Sequence, residues 1–231
     1  MTALGDAMGL DDLDPKQRER LAAYWWRRAE GELTSWHGFQ HVLADLAAEG
    51  SPEPVLKLAE RAVADEYQHA VWCRDWARRF GHPGDELRAR SEEPITFRGA
   101  SDAENRLLRI TLCCFTETVG CFILRHVRPT VTDSELRKLN RRHLADELRH
   151  SRVGWAHLST LDAAKKETLR EWIPKLFKVL PIATCEGPEQ PFEDLVPFGY
   201  FTPRLLRAAH DEAIREVILP GLEYVGLRSA A

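Results

Sequence analysis

The hexapeptide Ala-Asp-Glu-x-x-His occurs twice in this chain, at 64–69 and at 145–150, each time inside a long run free of strand-like alternation. An acid and an imidazole three residues apart project from one face of an α-helix, so each copy specifies a helix with two polar groups turned the same way. Charged helices produce Glu-x-x-His by chance, but two copies with the same preceding Ala-Asp do not read as chance. The segments that hold them are long and β-branched alternation is nearly absent, so the expected class is all-α.

Asp14-Pro15 opens a first helical pattern, with Pro at a first-turn position, that runs to Gly50. Ser51-Pro52 caps a second, which reaches about Phe80 before Gly81-His82-Pro83-Gly84 breaks it. After an irregular charged stretch, a third starts at Ser101-Asp102 and stops before Pro129, and a fourth covers about 133–158. Short turns join the first pair and the second pair, whereas roughly 20 residues cross between the pairs. Two antiparallel hairpins linked by one long crossover is the connectivity of a ferritin-like four-helix bundle. A fifth helix over 161–179, a proline-rich loop over 181–203 and a sixth helix over 203–224 read as a lid or an extra layer. The expectation is one domain over 1–231, with the bundle at about 15–158 and a helical extension at about 159–231.

A site inside such a bundle needs its side chains at one height, which in an antiparallel hairpin means equal distances from the turn. Glu32 and Glu66 have their midpoint at residue 49, beside the Gly50-Ser51 turn. Glu117 and Glu147 have theirs at residue 132, in the turn after Pro129. Each hairpin thus brings a lone Glu level with a Glu-x-x-His. Glu32, Glu66, Glu117 and Glu147 with His69 and His150 make the donor set of a dinuclear carboxylate site, and mixed oxygen and nitrogen donors suit iron(II) or manganese(II). Burying four acids without cations would be too costly for an accidental core.

Glu117, flanked by Cys113-Cys114-Phe115 and Val119-Gly120-Cys121-Phe122, has no wet face and must be paired or ligated. Glu30 competes with Glu32; the latter shares the stripe of Leu21, Trp25, Ala29, Trp36, Phe39 and Leu43 and is expected. Asp65 and Asp146 are expected to accept the distal N–H of the ligating histidine on the opposite helix, which fixes its tautomer. His143 stands one turn before Glu147, where the first copy has Ala62. It is either a seventh ligand or a hydrogen-bonded core histidine. Tyr24, Trp25, Trp36, Trp72, Phe115 and Phe122 are either pocket lining or plain core.

Composition narrows the function classes. With 32 basic and 36 acidic residues, a formal net charge of −4, nucleic acid is not an expected partner. Arg78-Arg79 and Arg141-Arg142 read as solvated helix faces. The odd count of five cysteines, none in zinc-knuckle spacing, gives no disulfide framework and fits a reducing cytoplasm. Residues 1–15 carry four Asp and no basic residue, so no signal peptide is expected. The stretch 107–124 is apolar enough for a membrane span, but Arg109 and Glu117 within it favour a buried bundle helix, and no membrane partner is expected.

On these residues, over about 15–158, the chain resembles the ferritin-like di-iron superfamily of ferritins, rubrerythrins, ribonucleotide reductase small subunits and bacterial di-iron oxygenases. Glu30-Gly31-Glu32 is similar to the helix-one segment of aldehyde-deformylating oxygenases, where the second Glu is the ligand. His143-x3-Glu147-x2-His150 is similar to the motif of p-aminobenzoate N-oxygenases, where the additional histidine binds one iron. The resemblance implies two iron ions, or a manganese–iron pair, on Glu32, Glu66, His69, Glu117, His143, Glu147 and His150. It implies an oxidoreductase that takes O2 as co-substrate, draws electrons from an external donor and oxidises a small organic molecule, with N-oxygenation of an amine one candidate. The alternative is an iron-handling ferroxidase or peroxidase of ferritin or rubrerythrin type. A helical interaction protein with accidental repeats is the third reading. The long C-terminal extension counts against storage, and the coincident midpoints count against the third. His210 and Asp211 receive no role. A homodimer through helix faces completes the expectations.

Overall fold

The computed structural model describes residues 10–180 and 192–228, and these form an all-α bundle. Four long helices, α1 (Pro15–Ala48), α2 (Glu53–Arg79), α3 (Asp102–Val127) and α4 (Ser134–Thr160), are followed by α5 (Ala163–Val179), α6 (Pro203–Ala213) and α7 (Leu219–Tyr224). Their starts follow from local chemistry. Asp14 and Ser101 each accept a backbone N–H at the third helical position and in return donate their own backbone N–H to the side-chain oxygens of Gln17 and Glu104. Asp133 accepts the N–H groups of Glu135 and Leu136. Each such cap contributes about 1 kcal/mol. The start of α2 departs from expectation: Pro52 is its N-cap, without a side-chain bond, and Ser51 pairs instead with His157 Nδ1 at 2.8 Å. Gly50 and Gly81, at φ of +70° and +100°, turn the chain just past α1 and α2.

Side-chain contacts give the direction of each neighbour. Trp25 meets Trp76 and Trp36 meets Tyr67 across α1 and α2, while Cys114 faces Gly154 and Gly120 faces Glu147 across α3 and α4. Numbers that rise on one helix fall on the other, so both pairs are antiparallel. The same holds between α1 and α3, where Asp45 binds Arg109 and Glu49 binds Arg106. It holds again between α2 and α4, where His69 meets Asp146 and Asp65 meets His150. Consequently α2 and α3 run the same way, joined by the crossover at 80–101.

Helix α3 is long and apolar enough to cross a membrane by length and composition, yet 72% of its most apolar window is buried inside the protein. Leu108, Phe115 and Phe122 pack with Leu169 and Leu176 of α5 and with Ala209 and Ala213 of α6, so the C-terminal helices form a layer on α3. A second cluster joins Trp25, Trp76, Val127, Leu136 and Phe198, and the Trp25 indole N–H donates to the Phe198 carbonyl at 3.1 Å. The expected sixth helix is not one continuous α-helix. Its middle, Ile214–Ile218, widens into a π-turn in which the Leu219 N–H reaches back to the Ile214 carbonyl. Pro220 explains this: it has no N–H, and its ring would clash with the carbonyl four residues earlier. Of the cysteines, Cys73, Cys113, Cys114 and Cys121 are free thiols; Cys185 and the first part of the expected 181–203 loop, 181–191, lie outside the described residues, as do residues 1–9. The second part of that loop carries a short 3-10 helix at Glu193–Phe198.

His157 makes one stability prediction. Its Nδ1 is bound to Ser51 and its Nε2 is buried without a partner. Burial holds its pKa below the ordinary 6.5, with Glu49 opposing and Lys165 adding to the shift. An imidazole whose pKa is depressed in the folded state contributes stability that is full above the unfolded value and is lost as pH falls toward the folded one. Thermal melts should therefore fall more steeply below pH 6.5 for the native chain than for His157→Gln. Parallel curves would place the acid sensitivity elsewhere.

Candidate metal centre

All seven expected donors converge at mid-height of the bundle. Donor atoms of Glu32, His69, His143 and Glu147 lie within 4.8 Å of one another, and so do those of Glu66, Glu117, Glu147 and His150. Glu147 belongs to both groups. Its Oε1 is 2.8 Å from His143 Nε2 and 3.8 Å from His69 Nδ1, while its Oε2 is 3.6 Å from His150 Nδ1. Glu66 also reaches both histidines, its Oε1 being 2.9 Å from His150 Nδ1 and 3.8 Å from His69 Nδ1. The lone glutamates occupy the ends: Glu32 Oε1 is 3.8 Å from His143 Nε2, and Glu117 Oε2 is 3.5 Å from His150 Nδ1. Glu30 points elsewhere, 3.9 Å from Arg90.

Two aspartates orient the imidazoles across the helix pair. His69 Nε2 on α2 lies 3.2 Å from Asp146 Oδ2 on α4, and His150 Nε2 on α4 lies 3.4 Å from Asp65 Oδ2 on α2. With each Nε2 as the donor, both Nδ1 lone pairs face the carboxylates. Arg149 joins the two aspartates, donating to Asp146 and lying 3.4 Å from Asp65 Oδ2. Burial acts to raise the pKa of Asp146, but the bond from His69 and the guanidinium of Arg149 outweigh it and hold the carboxyl below the usual range. Replacing Asp146 with Asn should weaken metal binding about 10- to 100-fold in a chelator competition. Unchanged affinity would reduce Asp146 to a surface acid.

Several neighbours were not expected from the sequence. Arg28 Nη2 is 3.5 Å from Glu32 Oε1, and the guanidinium lies 4.6 Å from both the Trp25 and Phe201 rings. Its Nη1 is buried without an acceptor. The Cys73 thiol is 3.8 Å from the same Glu32 oxygen, and burial pushes its pKa up, keeping it a neutral donor. Both stand four residues from a donor, Arg28 before Glu32 and Cys73 after His69, so helical spacing carried the signal. Of the six aromatics weighed above, Trp25, Phe115 and Phe122 are buried core. Trp72 instead stands with its ring 5.3 Å from that of His69 and opens on a surface cleft.

The charge and hydrogen bonding of the cluster test whether a metal pair suits it. His69 Nδ1 and His150 Nδ1 are fully buried and make no aligned hydrogen bond, an arrangement that costs about 1–3 kcal/mol for each group. Burial, with Glu147 and Glu32 nearby, pushes Glu66 up to about 8. Burial and Glu147 push Glu117 well above its usual range. Burial opposes ionisation of Glu147 too, but His143, 2.8 Å from its Oε1, and the nearby imidazole of His150 hold it well below. Alone, the cluster retains protons; two divalent cations would cancel its four carboxylates and take up the imidazole lone pairs. No thiol belongs to either donor group, so the donors are oxygen and nitrogen throughout. The residues fit.

Comparison with protein-family models, with curated proteins and with solved structures finds no match for this chain. The centre is read from its own geometry.

Proposed function

We propose that the chain is a ferritin-like di-iron oxidoreductase that activates O2 to oxidise a small organic substrate. The observation that carries this reading is Glu147, whose two oxygens face the two donor groups separately. The parallel run of α2 and α3 across a long crossover supports the ferritin-like topology. Glu32, His69 and His143 would hold one ion, Glu117 and His150 the other, with Glu66 and Glu147 between them. Iron(II) suits these donors, and a manganese–iron pair would satisfy the same set. When bound, the metal supplies the one-electron chemistry with O2 that no side chain offers.

The chain's own residues do the rest. Asp65 and Asp146 hold the imidazole tautomers, and Arg149 holds the aspartates. Cys73 and Arg28 both point polar hydrogens at Glu32, steadying the half-buried carboxylate of the set. Gly120 offers no side chain beside Glu147, whose carboxylate is the first group a Cβ there would meet, at 3.7 Å. That leaves the glutamate free to shift. Phe39, Ile110 and Val153 pack on the closed side and exclude water.

The reading is tested by loading the chain with iron, adding reductant and O2, and assaying arylamines and other amines for oxidised product. O2 uptake coupled to organic product supports an oxygenase. Iron oxidation with cage assembly and no organic turnover would move the assignment to iron handling. A loaded chain inert to O2 would overturn the reading.

A further inference from the structure

The basic pairs Arg78-Arg79 and Arg141-Arg142 are far apart in sequence, but the antiparallel packing of α2 on α4 brings Arg79 and Arg142 to one cleft of about 350 Å³. Trp72, Trp76 and Leu139 form its apolar wall, and Arg79, Lys138 and Arg142 stand around it. None of these three cations has an ion-pair partner among the described residues, although Arg142 lies over the Trp72 ring and Arg79 over the Trp76 ring, both at 4.6 Å. Of the two acids at the cleft, Asp75 is already paired with Arg74 at 2.8 Å, which leaves Glu135. In a chain of net charge −4 this is a local concentration of unpaired positive charge.

What lies behind the cleft gives it meaning. Trp72 separates it from His69, which is fully buried and turns its Nδ1 toward Glu66 and Glu147. A substrate cannot pass two rings; an electron can. Arg79 on α2 and Lys138 and Arg142 on α4 flank the cleft from both helices, a spread of charge that suits the acidic face of a protein. Weak redox encounters use small, electrostatically steered interfaces of this kind.

We propose that the α2–α4 face docks an acidic one-electron carrier protein, which passes electrons through Trp72 and His69 to the metal pair. This rests on the di-iron reading above. Each encounter oxidises the carrier by one electron and reduces one metal ion from the trivalent to the divalent state, so two encounters reduce the pair.

The probe is an acidic plant-type [2Fe–2S] ferredoxin. Its binding should weaken at least about tenfold from low to moderate salt, and should weaken about tenfold or more in the double variant Lys138→Glu, Arg142→Glu. The remote reversal Arg215→Glu should leave binding unchanged. In the iron-loaded chain, Trp72→Leu should slow reduction by ferredoxin about tenfold while leaving reduction by dithionite unchanged, with Trp72→Phe recovering most of the rate. Absence of a complex, or one indifferent to salt and to the reversals, overturns the proposal. So does binding of inorganic phosphate in the cleft without binding of ferredoxin. Running the binding arm on metal-free protein separates the two claims. Failure of docking leaves an iron-loaded chain that ferredoxin ignores; failure of the metal reading leaves a chain without iron whose salt-sensitive complex persists.

Discussion

Glu147→Ala should abolish tight binding of both metal ions at once, whereas Glu32→Ala and Glu117→Ala should each spare one. The asymmetry follows from position, since Glu147 is the side chain common to the two donor groups. Its loss should exceed the roughly 10- to 100-fold effect typical of removing an outer partner. Stability should fall both without and with metal, and further with it. In the metal-free chain the mutation relieves Glu117 and Glu66 but takes away the ionised partner that lies 2.8 Å from buried His143, so the melting temperature should fall. With metal in excess, the native chain gains about 4 kcal/mol at a concentration of roughly 1,000 times its dissociation constant, and the variant loses that gain. Equilibrium dialysis and paired melts read both effects. Retention of one tight ion in Glu147→Ala would remove its bridging role.

Gly154→Ala should be the most damaging single-methyl change outside the cluster. Alanine in a helix ordinarily gains about 1 kcal/mol over glycine, so the expected sign is reversed here by packing. A Cβ at Gly154 would sit 2.2 Å from the Cβ and 3.0 Å from the Cα of Cys114, and backbone cannot swing aside as a flexible side chain can. Separating α3 from α4 should cost about 3 kcal/mol, or about 6–12 °C in melting temperature for a chain of this size. Because His150 is one turn away on α4 and Glu117 close to Cys114 on α3, metal affinity should fall as well. Combining the mutation with Cys114→Gly should recover most of the stability, while leaving the tighter Cα approach in place. A stable Gly154→Ala chain with native metal affinity would contradict this close contact.

The register of the site was legible because it depends on local rules. Pro15, Gly50, Ser101 and Asp133 mark helix ends by backbone chemistry, and equal distances from two turns place Glu32 level with Glu66 and Glu117 level with Glu147. The crossed aspartates were legible for the same reason, since the residue before each ligand Glu faces the neighbouring helix. Arg149 was not, because a long side chain at an unspecified motif position can lie along either flank of its helix. The pairing of Ser51 with His157 joins residues 106 apart, and no local pattern reports it. Pro220 did signal the break at Ile214–Ile218, but a proline stops hydrogen bonds upstream of itself, and the amphipathic pattern around it masked that. Arg79 and Arg142 look like ordinary solvated charges until tertiary packing sets them at one cleft.

A count of metal per chain decides whether the two donor groups hold two ions. Metal-free protein would be loaded anaerobically with iron(II), freed of excess, and analysed for iron and protein together. Two irons per chain, falling to about one in Glu32→Ala and Glu117→Ala, is the predicted result. A chain that retains no iron, or whose bound iron is indifferent to Glu32, Glu117 and Glu147, would contradict it.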